Sequence, residues 1–163
     1  MAVSISLFMI FAGLCLIPAL ICGALSDIRS RTFPSEYFDG WPVKIGGIIA
    51  IITYLCMIAY GWYIWVGLLI ALSLVASLFF YYMGLNFGSG GDWRALIYIA
   101  LLCPAFIIQT VVFSLVVGGM LAIYAMTQPD DELDPLPFRN IPFAVAILVG
   151  FVVAMASAWV VGI

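Results

Sequence analysis

Residues 45–83 read IGGIIAIITYLCMIAYGWYIWVGLLIALSLVASLFFYYM and contain no charged side chain. This run is about twice as long as the ~20 apolar residues that one helical membrane span needs. It therefore predicts a hairpin of two spans. The turn is expected at residues 60–65, where Gly61 breaks the helix and tryptophans and tyrosines form an interfacial belt. The stretch favours an all-α membrane bundle, and the rest of the chain follows the same pattern.

The composition places the whole chain in the membrane class. Of 163 residues, 67% are hydrophobic and 8% are charged, with a mean hydropathy of +1.29. Soluble domains are roughly 45–50% apolar and about 25% charged. We expect one integral membrane domain over residues 1–163, with no room for a separate soluble domain.

Several partner classes are excluded at this stage. The net charge of −3 and the lack of a basic cluster offer nothing to nucleic acid. The four cysteines lie in apolar runs without CxxC spacing, and the chain has no histidine. This pattern argues against a zinc site and against a disulfide framework, so we expect no metal and no cofactor.

Three more apolar runs complete the predicted topology, at residues 2–25, 95–126 and 141–163. The first run predicts one span with a kink at Pro18, and the last run predicts one span. Residues 95–126 predict two short spans that turn near Ile108 to Thr110, with one strongly tilted helix as the alternative. The total is six transmembrane helices.

The charges agree with six spans. If the spans alternate, one side of the membrane receives every basic residue of the chain, namely Arg29, Arg31, Lys44, Arg94 and Arg139. The positive-inside rule makes that side cytoplasmic. The sequence thus predicts a multi-pass protein of the cell membrane with both termini outside.

Asp27 and Asp92 lie directly against apolar runs. In the six-span topology Asp27 ends the first span and Asp92 begins the fourth, so both face the cytoplasm at a similar depth. Carboxylates next to hydrocarbon are costly and usually functional. Two aspartates that meet share one proton, which suits peptide hydrolysis by general acid and general base. The residues leave open that Asp27 only pairs with Arg29 and Arg31 and that Asp92 only opens a helix.

Three segments resemble a known family. Gly88-Ser89-Gly90-Gly91-Asp92-Trp93-Arg94 resembles the GxGD region of the type IV prepilin peptidases, especially the short archaeal preflagellin and prepilin peptidases. Asp27-Ile28-Arg29-Ser30-Arg31-Thr32-Phe33-Pro34 is similar to the family's first catalytic segment, D-x-R-x-R-x-(I/L)-P-N. The stretch 141–148 with Gly150 is similar to the start of the family's last span. Together the matches cover nearly the whole chain.

The resemblance implies a function and a set of roles. Asp27 and Asp92 would be catalytic, and the site would be shaped by Gly88, Gly90, Gly91, Arg29, Arg31 and Arg94. The reaction would be cleavage of class III signal peptides of prepilin-like or preflagellin substrates at the cytoplasmic face, without a cofactor. The cytoplasmic CxxC pairs of many bacterial members are absent, so no N-methyltransferase activity is implied.

The chain departs from the family pattern at four positions. Ser89 replaces a glycine, Ser35 stands where asparagine is common, Arg94 replaces the usual lysine, and Val145 occupies a place often held by proline. None of these differences removes a carboxylate. They bear mainly on substrate preference.

Two other functions stay open. The presenilin and signal-peptide-peptidase type also uses GxGD, but it normally places a tyrosine before its first aspartate, where this chain has Ser26. A small transporter or structural membrane subunit would use Asp27 and Asp92 for ion coupling or anchoring, although no internal repeat is visible.

The acidic run 130–134 fits a solvated loop or a surface that attracts a basic substrate segment. The oligomeric state is not indicated.

Overall fold

The computed structural model describes residues 2–30, 35–87, 90–127 and 143–161, and in this part of the chain there are helices and no strand. The all-α fold class is confirmed. The helices are α1 (Ala2–Leu14), α2 (Ile17–Ser30), a short 3₁₀ helix (Ser35–Asp39), α3 (Trp41–Ala59), α4 (Tyr63–Phe87), α5 (Gly90–Leu102), α6 (Pro104–Thr127) and α7 (Phe143–Val161).

Four helical segments are long and apolar enough to cross a membrane. They are Phe8–Arg29, which combines α1 and α2, and Trp41–Ala59, Tyr63–Gly84 and Pro104–Tyr124. Helix α7 has 19 residues, as many as α3, and its stretch Phe143–Ser157 is apolar. Helix α5 has only 13 residues. The six predicted apolar segments are therefore present as a helical membrane bundle, in which α5 is short.

The turn of the first hairpin lies where the sequence predicts it. Helix α3 ends at Ala59 and α4 begins at Tyr63. Between them Gly61 has a φ of 79°, a left-handed conformation that glycine adopts without steric cost. The backbone N–H of Gly61 donates to the carbonyl of Ile58 at 2.9 Å, and that of Trp62 donates to Met57 at 3.0 Å. These bonds satisfy carbonyl groups that the end of a helix leaves unpaired.

The predicted turn near Ile108 to Thr110 is wrong. The break lies at Cys103, and residues 108–110 belong to the interior of α6. Proline has no N–H with which to continue α5, and it disfavours helical geometry at the residue before it. Pro104 therefore opens α6 instead of bending a helix, which is the position in a helix that proline favours.

Contacts at both ends show that α5 and α6 form a hairpin rather than one long helix. At the end of α5, the Cys103 thiol donates to the carbonyl of Met9 in α1 at 3.5 Å. Further along α6, a Cβ on Gly118 would lie 3.5 Å from the ring of Phe143, the first residue of α7. The next residue, Ala144, contacts Asp27 near the end of α2. Helix α5 thus leads away from this end of the bundle, called here the Asp27 end, and α6 returns to it.

The first span is interrupted near its middle. Helix α1 ends at Leu14 and α2 begins at Ile17, with Pro18 as its second residue. Because Pro18 has no N–H to donate to Leu14, the regular hydrogen bonding stops there, as the sequence predicts. Leu16, within the break, is fully buried. Helices α2, α5, α6 and α7 supply most of the other large, fully buried side chains of the core, including Leu20, Ile99, Ile107, Ile147 and Phe151.

Candidate active site

Asp27 lies on the buried face of α2. Leu16, Leu20 and Ala24 precede it at intervals of three or four residues, and each of them is buried. This spacing places all four residues on one side of a helix. The Asp27 side chain is half-buried and is directed toward the interior of the bundle.

Asp27 is bound by the first turn of α7. Its Oδ2 accepts a hydrogen bond from the backbone N–H of Ala144 at 3.2 Å. Ala144 is the second residue of α7, so this N–H has no acceptor within its own helix. The N-terminus also carries the positive end of the helix dipole, which attracts a carboxylate.

Asp92 has a matching position on α5. It is the third residue of that helix, and it is followed at spacings of four, three and four by Leu96, Ile99 and Cys103. All three are buried, two of them completely. Asp92 is itself half-buried, and its Oδ1 is shielded from solvent. The carboxylate therefore continues the buried face of α5.

The depth of Asp92 follows from two contacts of α5. Cys103 reaches Met9, and Tyr98 stacks on Phe38 of the 3₁₀ helix with ring centroids 4.9 Å apart and planes 9° apart. Next to Phe38, Tyr37 lines a cleft together with Pro18 and Cys22 of α2. Asp92 lies six residues before Tyr98, about 9 Å nearer the Asp27 end. Helices α2 and α5 thus carry their aspartates on inward faces at the same end of the bundle.

The other predicted site residues fall into two groups. Arg29 and Arg94 are exposed, and Gly90 and Gly91 form the start of α5. Gly88 and Arg31 lie outside the described residues, as do Ser89, the acidic run 130–134 and Arg139. The site-shaping roles of both groups stay predictions.

Trp93 is a contact residue that the sequence analysis missed. Its ring stacks on Phe80 of α4 with centroids 6.4 Å apart. A Cβ on Gly84 would come within 3.2 Å of the Trp93 indole, so α4 approaches closely only because residue 84 is glycine. Trp93 therefore fixes α5 against α4 directly beside Asp92. Gly84, a small residue in an apolar helix, was the available signal for this contact.

Phe38 is a second missed residue. Charged residues are frequent between the first two predicted spans, which is typical of a solvated connector, yet Phe38 of this segment is only 2% exposed and stacks on Tyr98. The 3₁₀ helix thus packs into the bundle and joins the segment after Asp27 to the helix that carries Asp92. Its signal was the aromatic pair Tyr37-Phe38 among polar neighbours, which is also common in loops.

A further sequence feature bears on the presenilin alternative. The Pro-Ala-Leu element of that type has a match here at Pro18-Ala19-Leu20. The triplet lies at the start of α2, two turns before Asp27, with Ala19 and Leu20 buried. The triplet lies in the first span, ahead of both aspartates. Pro18 is part of the break between α1 and α2, which gives these residues a structural explanation.

No family model, no curated protein and no solved structure matched this chain. The class that fold and site define is a helical membrane protein with two inward-facing aspartates at one end of the bundle.

Proposed function

We propose that the chain is a membrane aspartyl peptidase of the prepilin peptidase type. Asp27 and Asp92 act as its catalytic pair on class III signal peptides of prepilin-like or preflagellin substrates. The observation that carries the proposal is the position of the two aspartates on the buried faces of α2 and α5, at the end where α7 begins. Ionisable groups on inward faces of membrane helices are usually functional.

The contacts of Asp27 favour this role over a surface ion pair. Residues two apart on a helix point in directions about 200° apart, so Arg29 faces away from Asp27. Arg29 is exposed, whereas Oδ2 of Asp27 is bound to the N–H of Ala144. Asp27 is thus held by the bundle interior.

Two helix N-termini supply the electrostatics that the pair requires. Asp92 lies in the first turn of α5, and Asp27 is bound to the first turn of α7. The positive ends of both dipoles stabilise negative charge on nearby carboxylates. Two neighbouring aspartates that share one proton carry one negative charge, and these N-termini stabilise it.

The chemistry needs only the two carboxyl groups and water. The ionised aspartate takes a proton from the water as its oxygen forms a bond with the scissile carbonyl carbon, while the protonated aspartate donates to the developing oxyanion. When the tetrahedral intermediate collapses, the C–N bond breaks and the leaving nitrogen takes up a proton. The products are a free carboxyl group and a free amine.

The orientation of the site follows from the basic residues. All five lie in segments that the six-span topology puts on one side, and Arg29 and Arg94 flank the aspartates. The positive-inside rule makes this the cytoplasmic face of the cell membrane. Substrates of this class present their short basic leader on that face.

Co-expression with a candidate prepilin tests the proposal. The wild-type chain should shorten the prepilin, seen as a gel shift, and the double variant Asp27→Asn/Asp92→Asn should leave it full-length. Asp39→Asn is the matched control, because Asp39 is an exposed aspartate of the 3₁₀ helix.

Mass spectrometry of the product distinguishes the three candidate functions. A cut after the glycine that precedes the hydrophobic segment supports the prepilin type, a cut within that segment supports the presenilin type, and absence of cleavage across the prepilins tried favours a transporter or structural subunit.

A further inference from the structure

Helix α6 carries one side-chain amide, and it points away from the bundle. Gln109 is exposed, whereas its neighbour Thr110 and Ser114, one turn further on, are buried against α7. In the described part of the chain no hydrogen bond reaches the Gln109 side chain. Neither the peptidase chemistry nor the packing of the bundle uses this residue.

The Gln109 amide lies inside the hydrocarbon region of the membrane. Gln109 is five residues from Pro104 and fifteen from Tyr124, so it is at least about 7 Å from either end of that candidate span. Its neighbour Thr110 lies beside α7, since a Cβ on Gly150 would come within 2.8 Å of the Thr110 carbonyl oxygen. Gly150 is itself about 10 Å from the nearer end of α7.

An unpaired amide at this depth is energetically unfavourable. Hydrocarbon has no donor or acceptor for its N–H and C=O groups. Glutamine side chains in membrane helices typically bond to a polar side chain of a neighbouring helix. Because no helix of the described part of the chain covers Gln109, a helix of another molecule can supply this bond.

Gln109 lies in a row of outward-facing residues along α6. Five exposed residues follow one another at spacings of three, four, three and four, namely Gln109, Val112, Val116, Gly119 and Ile123. This row is called here the α6 stripe. The spacing lets two helices pack side by side with a small crossing angle. Gly119 allows the backbones to approach closely, and a Cβ on it would meet no atom of the described residues within 4 Å.

We propose that the α6 stripe is the contact surface of a homodimer, in which the Gln109 amides of two copies hydrogen-bond to each other. Both copies insert with the same sidedness, so the two-fold axis that relates them must be parallel to the membrane normal. This axis brings each stripe residue to the depth of the same residue in the other copy. Since a carboxamide both donates and accepts hydrogen bonds, the two Gln109 side chains satisfy each other.

The chemistry of the stripe selects a second copy over other occupants. An acyl chain can cover the valine and isoleucine side chains, but it leaves the amide unpaired. A helix of a different protein would need its own polar side chain at the same depth, whereas a second copy always has one. The inference rests on the membrane class of the chain and is independent of whether the chain is a peptidase.

Self-association of the full chain in phosphatidylcholine vesicles tests the proposal. Chains with a donor or an acceptor fluorophore at the C-terminus are reconstituted together, and energy transfer at increasing protein-to-lipid ratio gives a dissociation constant for the dimer. Gln109→Leu should raise this constant about tenfold, the effect typical of a hydrogen bond between membrane helices. Gln109→Asn keeps the amide and should dimerise more strongly than Gln109→Leu.

Two exposed glycines give a matched pair of steric variants. Gly119→Leu fills the space through which the two backbones approach, and it should weaken dimerisation. Gly67→Leu is the control, because Gly67 lies in α4 outside the stripe and a Cβ on it likewise meets no atom of the described residues within 4 Å. Both variants should keep the helix content of the wild type, read by circular dichroism.

Disulfide cross-linking locates the interface on α6. In a background where the native cysteines are replaced by alanine, Val112→Cys should form linked dimers on oxidation with copper phenanthroline, because the two-fold axis brings the two thiols together. Ile51→Cys, at an exposed position of α3, is the control and should stay monomeric on a non-reducing gel.

Three results would overturn the proposal. Energy transfer no greater than random proximity gives, at every protein-to-lipid ratio, would show a monomer. An unchanged dissociation constant for Gln109→Leu would place the interface of a dimer elsewhere. Cross-linking of the Val112→Cys variant to a prepilin that carries a cysteine, without cross-linking between two copies, would make the stripe a substrate site.

Discussion

The carboxylate of Asp27 and the backbone N–H of Ala144, 117 residues apart in sequence, are joined by a hydrogen bond of 3.2 Å. This bond links the end of the first span to the beginning of the last one. It orients Asp27 toward the core and directs the positive end of the α7 dipole at its carboxylate. Substitution of Ala144 tests the role of this hydrogen bond.

Ala144→Pro removes the donor of this bond without an obligatory loss of helix, because proline is tolerated in the first turn. A hydrogen bond to a charged group contributes about 1.5 kcal/mol or more, so the initial rate of prepilin cleavage should fall at least about tenfold. Val145→Pro is the control, since it places proline one residue later and leaves the Ala144 N–H in place. Equal losses in the two variants would show that proline itself, and not the missing bond, causes the effect.

The close packing of α6 and α7 gives a prediction about stability. A Cβ on Gly150 would clash with the Ser114 hydroxyl and lie 2.7 Å from the Ser114 nitrogen and 2.8 Å from the Thr110 carbonyl oxygen. Because two of these atoms are backbone, the helices must separate, and Gly150→Ala should lower the free energy of unfolding by about 2 kcal/mol. Gly119→Ala, in α6, would meet no atom within 4 Å and should be neutral. Denaturant unfolding in detergent measures both variants, and an unchanged midpoint for Gly150→Ala would contradict the packing.

The contact between Gly84 and Trp93 predicts an effect on catalysis. A methyl group at residue 84 would press on the indole at 3.2 to 3.3 Å and displace the residue next to Asp92. Gly84→Ala should therefore lower kcat several-fold, because small displacements of catalytic groups are costly. Gly67→Ala in the same helix has no neighbour within 4 Å and serves as the control. The comparison is made at saturating prepilin, and identical kcat values would show that Trp93 does not position Asp92.

The hairpin of α5 and α6 predicts which residues share a side of the membrane. In a background where the native cysteines are replaced by alanine, cysteines at Tyr60 and Ala105 should react with an impermeant maleimide from one side, and a cysteine at Glu36 from the other. All three positions are exposed. If α5 and α6 crossed as one helix, position 105 would lie inside the bilayer and would react from neither side.

The sequence was sufficient for some parts of the fold and insufficient for others, for physical reasons. Gly61 was predictable because a glycine between two long apolar runs leaves few alternatives. The turn at Cys103 was missed because dividing residues 95–126 into equal halves gave too little weight to Pro104, and because α5, at 13 residues, is shorter than the usual span.

Some features of the candidate site could likewise be predicted from the sequence, and others could not. The inward direction of Asp27 and Asp92 follows from the spacing of apolar residues on α2 and α5. The bond from Ala144 could not be predicted, since a backbone N–H is present at every residue except proline and leaves no trace in the sequence. The burial of Phe38 depends on its partner Tyr98, which lies 60 residues away in the chain.

Single and double substitution of the two aspartates in the purified, reconstituted protein tests the central claim most directly. The measured quantity is the rate of prepilin cleavage by Asp27→Asn, by Asp92→Asn and by the double variant. If the two carboxylates act as one unit, each single variant should lose as much activity as the double variant, because effects within a catalytic pair are not additive. Near wild-type cleavage by either single variant, or losses that multiply in the double variant, would contradict the account.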